Sequence, residues 1–193
     1  MMTTMVRWEP GAADRLRAAA IELFEERGYE QTTVAAIAER AGVTERTFYR
    51  YFADKREVLF AGSEQLQERA VEAVAAAPIE AGPGELVTAA LDGLAASFPA
   101  ERRPYSRRRQ AALESVPALQ ERELLKLASL RAALIDAFIG RGLAAGAAAV
   151  AAEATLGVFH VAFTRWIAVG EERGFAGLQH AAAEEFRSVI GSA

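Results

Sequence analysis

Residues 32–59, TTVAAIAERAGVTERTFYRYFADKREVL, constrain the fold more than any other part of the chain. The first apolar residues of this stretch recur at the i, i+3, i+4, i+7 spacing of an amphipathic helix: Val34, Ile37, Ala38 and Ala41. Thr32 or Thr33 can cap the first turn of that helix. Gly42 ends the pattern, because glycine adopts the left-handed backbone conformation at little cost. Thr44 is then an N-cap for a second helix over residues 45–52, so the stretch predicts two short helices joined by a tight turn.

The second of these helices is apolar on one face only. Phe48 and Phe52, four residues apart, face inward. The other side chains remain available to solvent or to a partner: Glu45, Arg46, Thr47, Tyr49, Arg50 and Tyr51. A helix-turn-helix with a polar, aromatic second helix is suited to reading the major groove of DNA. Two helices joined through a glycine also occur throughout all-α proteins, so the geometry alone leaves a purely structural role open.

The distribution of charge favours the DNA-binding interpretation. Residues 40–56 carry five basic and two acidic side chains, although the whole chain has a net charge of −4. Electrostatic docking to phosphates depends on where the positive charge lies and not on the net charge of the protein. The acidic balance of the whole chain instead argues against indiscriminate binding of polyanions.

Residues 16–59 resemble the DNA-binding domain of TetR-family transcriptional regulators, which share an opening helix ending LF…ERGY, then TTV…IAERAGV, then T…TFY.YF..K..VL. The matching residues are Leu23, Phe24, Gly28, Tyr29, Thr33, Val34, Ile37, Ala38, Ala41, Gly42, Val43, Thr47, Tyr49, Phe52, Lys55 and Leu59. The resemblance implies an all-α fold with a three-helix helix-turn-helix DNA-binding domain at residues 1–54, including an arm at 1–11. A larger helical ligand-binding and dimerisation domain at 55–193 is expected to follow, with a helix over residues 55–77 as the link.

The DNA contacts of the family can be carried over to the matching positions of this chain. Positions that usually touch phosphates correspond to Thr33, Tyr49, Tyr51 and Lys55. Positions near base edges correspond to Glu45, Arg46, Thr47 and Arg50, with Thr44 at the start of this recognition helix. Arginine can bind guanine O6 and N7 bidentately, and glutamate can accept from cytosine N4. Many family members have lysine and glycine where this chain has Glu45 and Arg46, so the usual basic contact is shifted by one residue.

Two further DNA contacts are expected outside the recognition helix. Asp54 and Glu57 form a capping-box-like pair, which predicts that a helix begins at residue 54. Lys55 then lies at a helix N-terminus, where main-chain N–H groups favour an anion such as a DNA phosphate. In the family an N-terminal arm can touch the minor groove, and Arg7 is the candidate in this chain.

The remainder of the chain predicts helices separated by glycine- and proline-rich connections. Residues 78–84, PIEAGPG, form the clearest linker. Helices are expected at residues 12–27, 85–98, 117–139, 147–169 and 177–190. The basic segment AERRPYSRRRQ at 100–110 is interpreted as a solvated loop and helix start. The alternative is that the arginines of this segment contact a carboxylate or phosphate of a ligand.

Composition excludes several classes of function. The chain has no cysteine and only two histidines, His160 and His180, so it predicts neither disulfides nor a metal site. It has no nucleophile–base pattern, phosphate-binding loop or metal-ligand spacing, so we expect neither an enzyme nor a cofactor. The N-terminus lacks the apolar region of a secretory signal. Residues 142–164 carry one charge, Glu153, but consist largely of alanine and glycine, so we expect a cytoplasmic protein without a membrane span.

The helix expected at residues 147–169 is apolar on two sides. One side carries large residues, Leu156, Phe159, His160, Phe163 and Ile167, with Trp166 at its edge. The other side carries small residues, Val150, Ala154, Gly157, Val161 and Ala168, and can admit another helix closely. Together with the amphipathic last helix, this pattern predicts a homodimer built from about residues 147–190. Which side lines a ligand pocket and which forms the interface is left open by the sequence.

An aromatic set with one polar member forms the candidate lining of an effector site: Phe98, Phe138, Phe159, His160, Phe163 and Trp166. The alternative for each of these residues is ordinary core. All three methionines lie in the leading arm, which excludes a methionine-lined promiscuous pocket. The expected protein is a ligand-responsive repressor that binds a palindromic operator as a dimer and is released by a small-molecule inducer. A ligand-independent DNA-binding protein is the alternative.

Overall fold

The computed structural model describes residues 11–191, and this part of the chain contains helices but no strand. The α-helices are α1 Ala12–Arg27, α2 Val34–Arg40, α3 Glu45–Tyr51, α4 Glu57–Phe60, α5 Ser63–Ala76, α6 Pro83–Ala95, α7 Arg103–Ser115, α8 Pro117–Gly140, α9 Ala145–Trp166 and α10 Phe175–Gly191. A 3-10 turn at Ala100–Arg102 precedes α7. The expected all-α fold class is therefore confirmed. The leading arm with Arg7 lies outside the described residues.

The helices form two compact units. Among the described residues, the N-terminal unit comprises 11–61 together with Arg108–Leu119. The C-terminal unit comprises Gly62–Arg107 and residues 120–191. The first division falls at Ala61, and not after residue 54 as the sequence suggests, because α4 packs against α1.

The continuous helix expected over residues 55–77 is two helices in the structure, α4 and α5. The backbone of Ala61 has φ −56° and ψ 128°, which is not helical, and Gly62 is left-handed with φ 91°. Side-chain-bearing residues rarely adopt that conformation, so glycine at this position ends one helix and begins the next. The apolar residues keep helical spacing through both α4 and α5. The sequence pattern therefore does not predict the break at Ala61 and Gly62.

The N-terminal unit is built around α1, against which α2, α3 and α4 pack. Its core side chains are almost completely buried: Leu16, Ala20, Ile21, Leu23, Ile37, Phe48, Val58 and Leu59. Burial of one such large apolar side chain contributes about 1.5–3 kcal/mol. The inward face of α3 is therefore held firmly on the core, which fixes the direction in which its polar face points.

A close approach of two backbones joins α5 to α6 in the C-terminal unit. A Cβ atom added to Gly93 of α6 would lie 2.5 Å from the main-chain oxygen of Arg69 and 2.9 Å from Cα of Ala70. Both contacts are with α5, so only glycine fits at this point of α6. The helices α9 and α10 pack against the other sides of α6.

Replacing Gly93 by valine should lower the free energy of unfolding by about 1–3 kcal/mol, because backbone atoms rather than a flexible side chain occupy the space. The matched control is Gly84→Ala on the same helix, where no atom lies within 4 Å of the added Cβ. That change should be neutral or stabilising by about 0.5–1 kcal/mol. Urea denaturation of the two variants measures both effects, and equal stabilities would contradict the close packing of α5 and α6.

Residues 78–84, expected as a linker, belong to the connection between α5 and α6 within the C-terminal unit. The helix α6 begins at Pro83, and the main-chain N–H of Gly82 donates to Glu85 Oε2 at 2.8 Å. The expected helix at 85–98 is therefore shifted toward the N-terminus, because the proline and the glutamate begin it. The bounds of α1 agree with the sequence, and α8, α9 and α10 differ from it by three residues or fewer.

The helix α9 is long and apolar enough to cross a membrane by length and composition. In this chain it packs against α6 and α10 through buried residues that include Ala152, Ala162 and Trp166. Its acidic residue Glu153 accepts a hydrogen bond from Arg131 of α8 at 2.9 Å. These contacts identify α9 as a core helix of the C-terminal unit.

Candidate nucleic-acid interface and effector site

Two threonines begin the helices of the helix-turn-helix. The hydroxyl of Thr33 accepts from the main-chain N–H of Ala36 at 3.1 Å, and the hydroxyl of Thr44 accepts from that of Thr47 at 3.2 Å. Each cap satisfies one of the N–H groups that have no partner within the helix. The caps therefore fix where α2 and α3 begin, as the sequence predicts.

The turn between α2 and α3 depends on Gly42, which has φ 68°. The main-chain N–H of Val43 donates to the carbonyl of Ala38 at 2.9 Å and closes the end of α2. Thr32 does not cap α2, because its buried hydroxyl donates to the carbonyl of Gly28 at 2.8 Å. The structure thus resolves the choice between the two threonines in favour of Thr33.

The helix α3 has one buried and one exposed face. Phe48 is 0% exposed, whereas Tyr49 is 56% and Tyr51 is 44% exposed. Glu45, Arg46 and Arg50 are also exposed, and Thr47 is half-buried. The helix ends at Tyr51, one residue earlier than expected, because the backbone of Phe52 is extended.

The two arginines of this exposed face are held differently. The guanidinium of Arg50 lies 5.0 Å from the centroid of the Tyr51 ring and donates to its hydroxyl at 3.3 Å. Arg46 has no hydrogen bond or ion pair with any described residue. Arg46 therefore keeps all its N–H donors for a partner, whereas stacking on Tyr51 restricts the orientation of Arg50.

Much of the remaining positive charge near α3 is already paired. Arg40 donates to the carboxylate of Glu26 at 2.8 and 2.9 Å, and these hydrogen bonds hold the pKa of Glu26 below its ordinary value. Arg56 pairs with Asp54 at 2.7 Å. The five basic residues of the segment 40–56 therefore overstate the positive charge that is available to DNA phosphates. Arg46 accordingly accounts for a larger share of the positive charge that can contact DNA.

The ammonium group of Lys55 is turned into the N-terminal unit. It donates to the main-chain carbonyls of Tyr29 at 2.8 Å, Thr32 at 3.1 Å and Glu30 at 3.4 Å, and lies 4.2 Å from the centroid of the Tyr29 ring. An ammonium group has three N–H donors, so these carbonyls use all of them. Lys55 thus joins the connection between α1 and α2, and in this conformation it is not the free phosphate-binding cation that the sequence predicts.

The environment of Lys55 also differs from the expected helix N-terminus. Asp54 accepts from the main-chain N–H groups of Arg56 and Glu57 at 2.8 and 3.1 Å. These bonds close a turn, and α4 begins only at Glu57.

The ring beside the Lys55 ammonium group is that of Tyr29. Burial raises the pKa of the Tyr29 hydroxyl to about 12, so the side chain stays neutral at ordinary pH.

Four members of the expected effector set meet in an aromatic cluster of the C-terminal unit. This aromatic cluster consists of Phe98, Phe159, Phe163, Trp166 and Phe175. The Phe98 ring lies at its centre, 4.7–5.7 Å from the centroids of the other four rings. The sequence reading missed Phe175, because it begins α10 and lies outside the helix expected at 177–190.

Two members of the expected effector set lie elsewhere. Phe138 is completely buried in a separate core cluster between α5, α6, α8 and α9. His160 is exposed on α9, so its ring does not join the aromatic cluster. Helical spacing puts His160 on the same side of α9 as Phe159 and Phe163, but the neighbouring helices cover only part of that side.

The first arginines of the basic segment bind carbonyl groups at the end of α9. Arg107 donates to the carbonyls of Ile167 at 2.7 Å and Ala168 at 2.9 Å. Arg103 donates to the carbonyls of Glu171 and Arg173 in the connection between α9 and α10. These side chains stabilise the negative end of the α9 dipole and are not simply solvated.

The next arginines of the segment belong to the N-terminal unit. Arg108 forms a bidentate pair with Glu25 of α1 at 2.6 and 2.7 Å. Arg109 donates to the carbonyl of Leu59 at 2.6 Å and lies over the Phe60 ring. This half of α7 is therefore tied to α1 and α4.

An open surface groove of about 600 Å³ lies outside the aromatic cluster in the C-terminal unit. It is lined by the connection between α5 and α6, the first turns of α6, and Arg187 of α10. Asp92 at one side of this groove accepts a hydrogen bond from Nε2 of His180 at 3.2 Å. None of the expected effector residues lines the groove.

Comparison with known proteins relates both units to one family. The family model for bacterial regulatory proteins of the tetR family matches residues 16–62, and that for the MftR C-terminal domain matches residues 81–190. The HTH-type transcriptional regulator TcmR of Streptomyces glaucescens is 31% identical over 128 residues. That match covers 66% of this chain and 52% of TcmR, so it spans about half the length of that relative.

Solved structures share the fold at low sequence identity. The regulator FadR of Bacillus subtilis, solved with stearoyl-CoA, is 21% identical with a TM-score of 0.59, over 89% of this chain and 95% of that one. A TetR regulator of Nitrosomonas europaea is 17% identical with a TM-score of 0.57, over 94% and 99% of the two chains. The family models, the TcmR match and the shared fold lead to one conclusion: the chain belongs to the TetR family of DNA-binding transcriptional regulators, which are not enzymes.

Proposed function

We propose that this chain is a cytoplasmic, ligand-responsive repressor that binds a palindromic operator as a homodimer and is released by a small-molecule inducer. The observation that carries the DNA-reading part is the exposed face of α3, where Arg46 pairs with none of the described residues and Arg50 is held by Tyr51. Both side chains can reach guanine O6 and N7 in a major groove. Tyr49, Tyr51 and Thr33 are exposed and are assigned to the phosphates on either side.

The homodimer is supported by the apolar residues that α9 and α10 leave uncovered. On α9, Val150 is 68% and Val161 is 39% exposed, and Gly157 between them is exposed as well. On α10, Val189 is 76% and Ile190 is 59% exposed. Because the large side of α9 is turned toward the aromatic cluster, the small side is the one assigned to the interface with a second copy.

The effector role is supported by the composition of the aromatic cluster and by a structural neighbour. The B. subtilis FadR structure contains stearoyl-CoA and shares the fold of this chain, which supports control by a ligand. In our proposal the ligand binds in the C-terminal unit and lowers operator affinity by about 5- to 150-fold, the usual range of allosteric coupling.

Selection of binding sites from random duplex DNA tests the proposed operator directly. Two recognition helices related by a two-fold axis read half-sites about one helical turn, or about 34 Å, apart. We therefore expect the selected sequences to converge on an inverted repeat. Protection of arbitrary sequence, with no enrichment, would instead support the ligand-independent DNA-binding protein.

Replacing Arg46 by alanine should weaken binding of the selected operator by about 1–3 kcal/mol and relax the base preference at one position of each half-site. Arg131→Ala is the matched control, because Arg131 is an exposed arginine of α8 whose partner is Glu153. Fluorescence anisotropy with the operator and with single-base variants measures both effects. Equal losses for the two variants would show that Arg46 does not read a base.

A further inference from the structure

Within residues 11–191, three buried hydrogen-bond donors of the C-terminal unit have no partner: Arg103 Nε, Trp166 Nε1 and Gln179 Nε2. Trp166 is 0% and Gln179 is 1% exposed. The large majority of buried polar groups in native proteins do have a partner, so three unpaired groups in one unit require an explanation. All three are N–H donors, and the group that would satisfy them is therefore an acceptor.

The three donors lie in one neighbourhood. The guanidinium carbon of Arg103 is 5.3 Å from the centroid of the Trp166 ring, and that ring is 5.5 Å from the ring of Phe175. Gln179 follows Phe175 by one turn of α10, so the two side chains share a face of that helix. Arg103 therefore contacts Trp166, and Gln179 lies one helical turn from Phe175 of the same aromatic cluster.

This neighbourhood also has positive charge without an acidic partner. Arg103 and Arg107 donate to main-chain carbonyls, and among the described residues neither forms an ion pair. The nearby acid, Glu171, is already bound to Arg173 at 2.6 and 2.9 Å, and these hydrogen bonds lower the pKa of Glu171 to about 2. The C-terminal dipole of α9 offsets only part of two full charges.

One ring of the aromatic cluster can give way to a ligand. Phe98 lies in the connection between α6 and the 3-10 turn, is only half-buried, and fills the centre of the cluster. Its side chain can turn outward without unwinding a helix. The space that it leaves would be bounded by the rings of Phe159, Phe163 and Phe175, all within 6 Å of its centroid.

We propose that this site binds a hydrophobic carboxylic acid. The carboxylate accepts from Arg103 Nε, Trp166 Nε1 and Gln179 Nε2, and the apolar body takes the place of the Phe98 ring. The acid supplies both the acceptor that the three donors lack and the negative charge that the arginines lack. The inference rests on the proposed function only in that this ligand would be the effector.

Titration of the full chain with 4-phenylbutanoate tests the site, with methyl 4-phenylbutanoate as the uncharged control that carries the same phenylpropyl group. In a Trp8→Phe variant Trp166 is the only tryptophan, so a change of its fluorescence locates the ligand. We expect the acid to bind at least about tenfold more tightly than the ester, as a charge-assisted hydrogen bond requires. Equal affinities, or no change at Trp166, would overturn the proposal in favour of ordered water at the three donors.

Two variants identify the groups involved, with calorimetry as the readout. Gln179→Leu keeps the side-chain volume but removes the donor, so it should weaken the acid about tenfold and leave the ester unchanged. Phe98→Ala should tighten both probes, because it vacates the space for the phenyl group. Thr155→Val, a buried change on α9 at a hydroxyl bonded to Ala151, is the control for general effects on folding and should alter neither affinity.

Operator binding, measured on the same samples, separates the two proposals. If the protein binds its selected operator but does not prefer the acid, the site proposed here is wrong and the DNA-binding function stands. If the acid binds at Trp166 and operator affinity does not change, the site stands and its role as the effector site is wrong.

Discussion

A leucine in place of Gly157 should convert the protein into a monomer and lower its operator affinity by about a hundredfold or more. Gly157 lies on the exposed small-residue side of α9, between Val150 and Val161, which the described part of the chain leaves uncovered. A leucine there would hold the α9 helices of two copies apart. Each recognition helix would then bind its half-site separately, and the gain of about 10²–10⁴ from linking two binding events would be lost.

The same change should leave the single chain intact. No atom lies within 4 Å of a Cβ added at Gly157, and its φ is not in the left-handed region. Leucine is also favoured over glycine within a helix by about 0.5–1 kcal/mol. We therefore expect the Gly157→Leu chain to stay folded, so loss of the dimer would report on the interface and not on unfolding.

Analytical ultracentrifugation measures the oligomeric state of Gly157→Leu, and fluorescence anisotropy measures its operator affinity. Gly84→Leu is the matched control, because Gly84 is an exposed helical glycine of α6 that also has no neighbour within 4 Å of the added Cβ. The control should remain dimeric and bind the operator as the unchanged protein does. A dimeric Gly157→Leu variant would place the interface on a different surface of the chain.

The parts of the fold that sequence reasoning predicts are those decided by neighbouring residues. The caps at Thr33 and Thr44 and the left-handed turn at Gly42 depend on hydrogen bonds within a few positions along the chain. The inward direction of Phe48 follows from helical spacing alone. These local features also determine which side chains α3 exposes, so the composition of the candidate DNA-reading face was predictable.

The parts that sequence reasoning misses depend on contacts far apart in the chain. The break at Gly62 interrupts a pattern that is helical on both sides, and the helix before it, α4, packs on α1 from a distant part of the chain. His160 has the spacing of a core residue but is exposed, because none of the helices in residues 11–191 covers its part of α9. Apolar spacing predicts which residues can be buried, and the partner helices decide which of them are.

The arginines at 103–109 illustrate a second limit. Their density predicts a basic surface, yet Arg107 and Arg109 end on main-chain carbonyls of Ile167, Ala168 and Leu59. A carbonyl group has no sequence signature, since every residue carries one. The acceptors of a structural arginine are therefore invisible until the fold brings a helix C-terminus to it.

Lys55→Met should lower the free energy of unfolding of the N-terminal unit by about 1.5–3 kcal/mol, the usual range for hydrogen bonds to a charged group. Methionine keeps an unbranched apolar stem but lacks the ammonium group, which donates to the carbonyls of Tyr29, Glu30 and Thr32 and lies over the Tyr29 ring. These carbonyls belong to the connection between α1 and α2. Because α3 packs on both helices, loosening this connection should also weaken operator binding.

The salt dependence of operator binding distinguishes this structural role from a phosphate contact by Lys55. Each lost phosphate contact reduces the slope of log K against log salt by about 1, whereas a structural lysine leaves that slope unchanged. We therefore expect Lys55→Met to melt at a lower temperature and to bind more weakly at every salt concentration with the original slope. A reduced slope with unchanged thermal stability would mean that the ammonium group leaves the three carbonyls for a phosphate when the protein binds DNA.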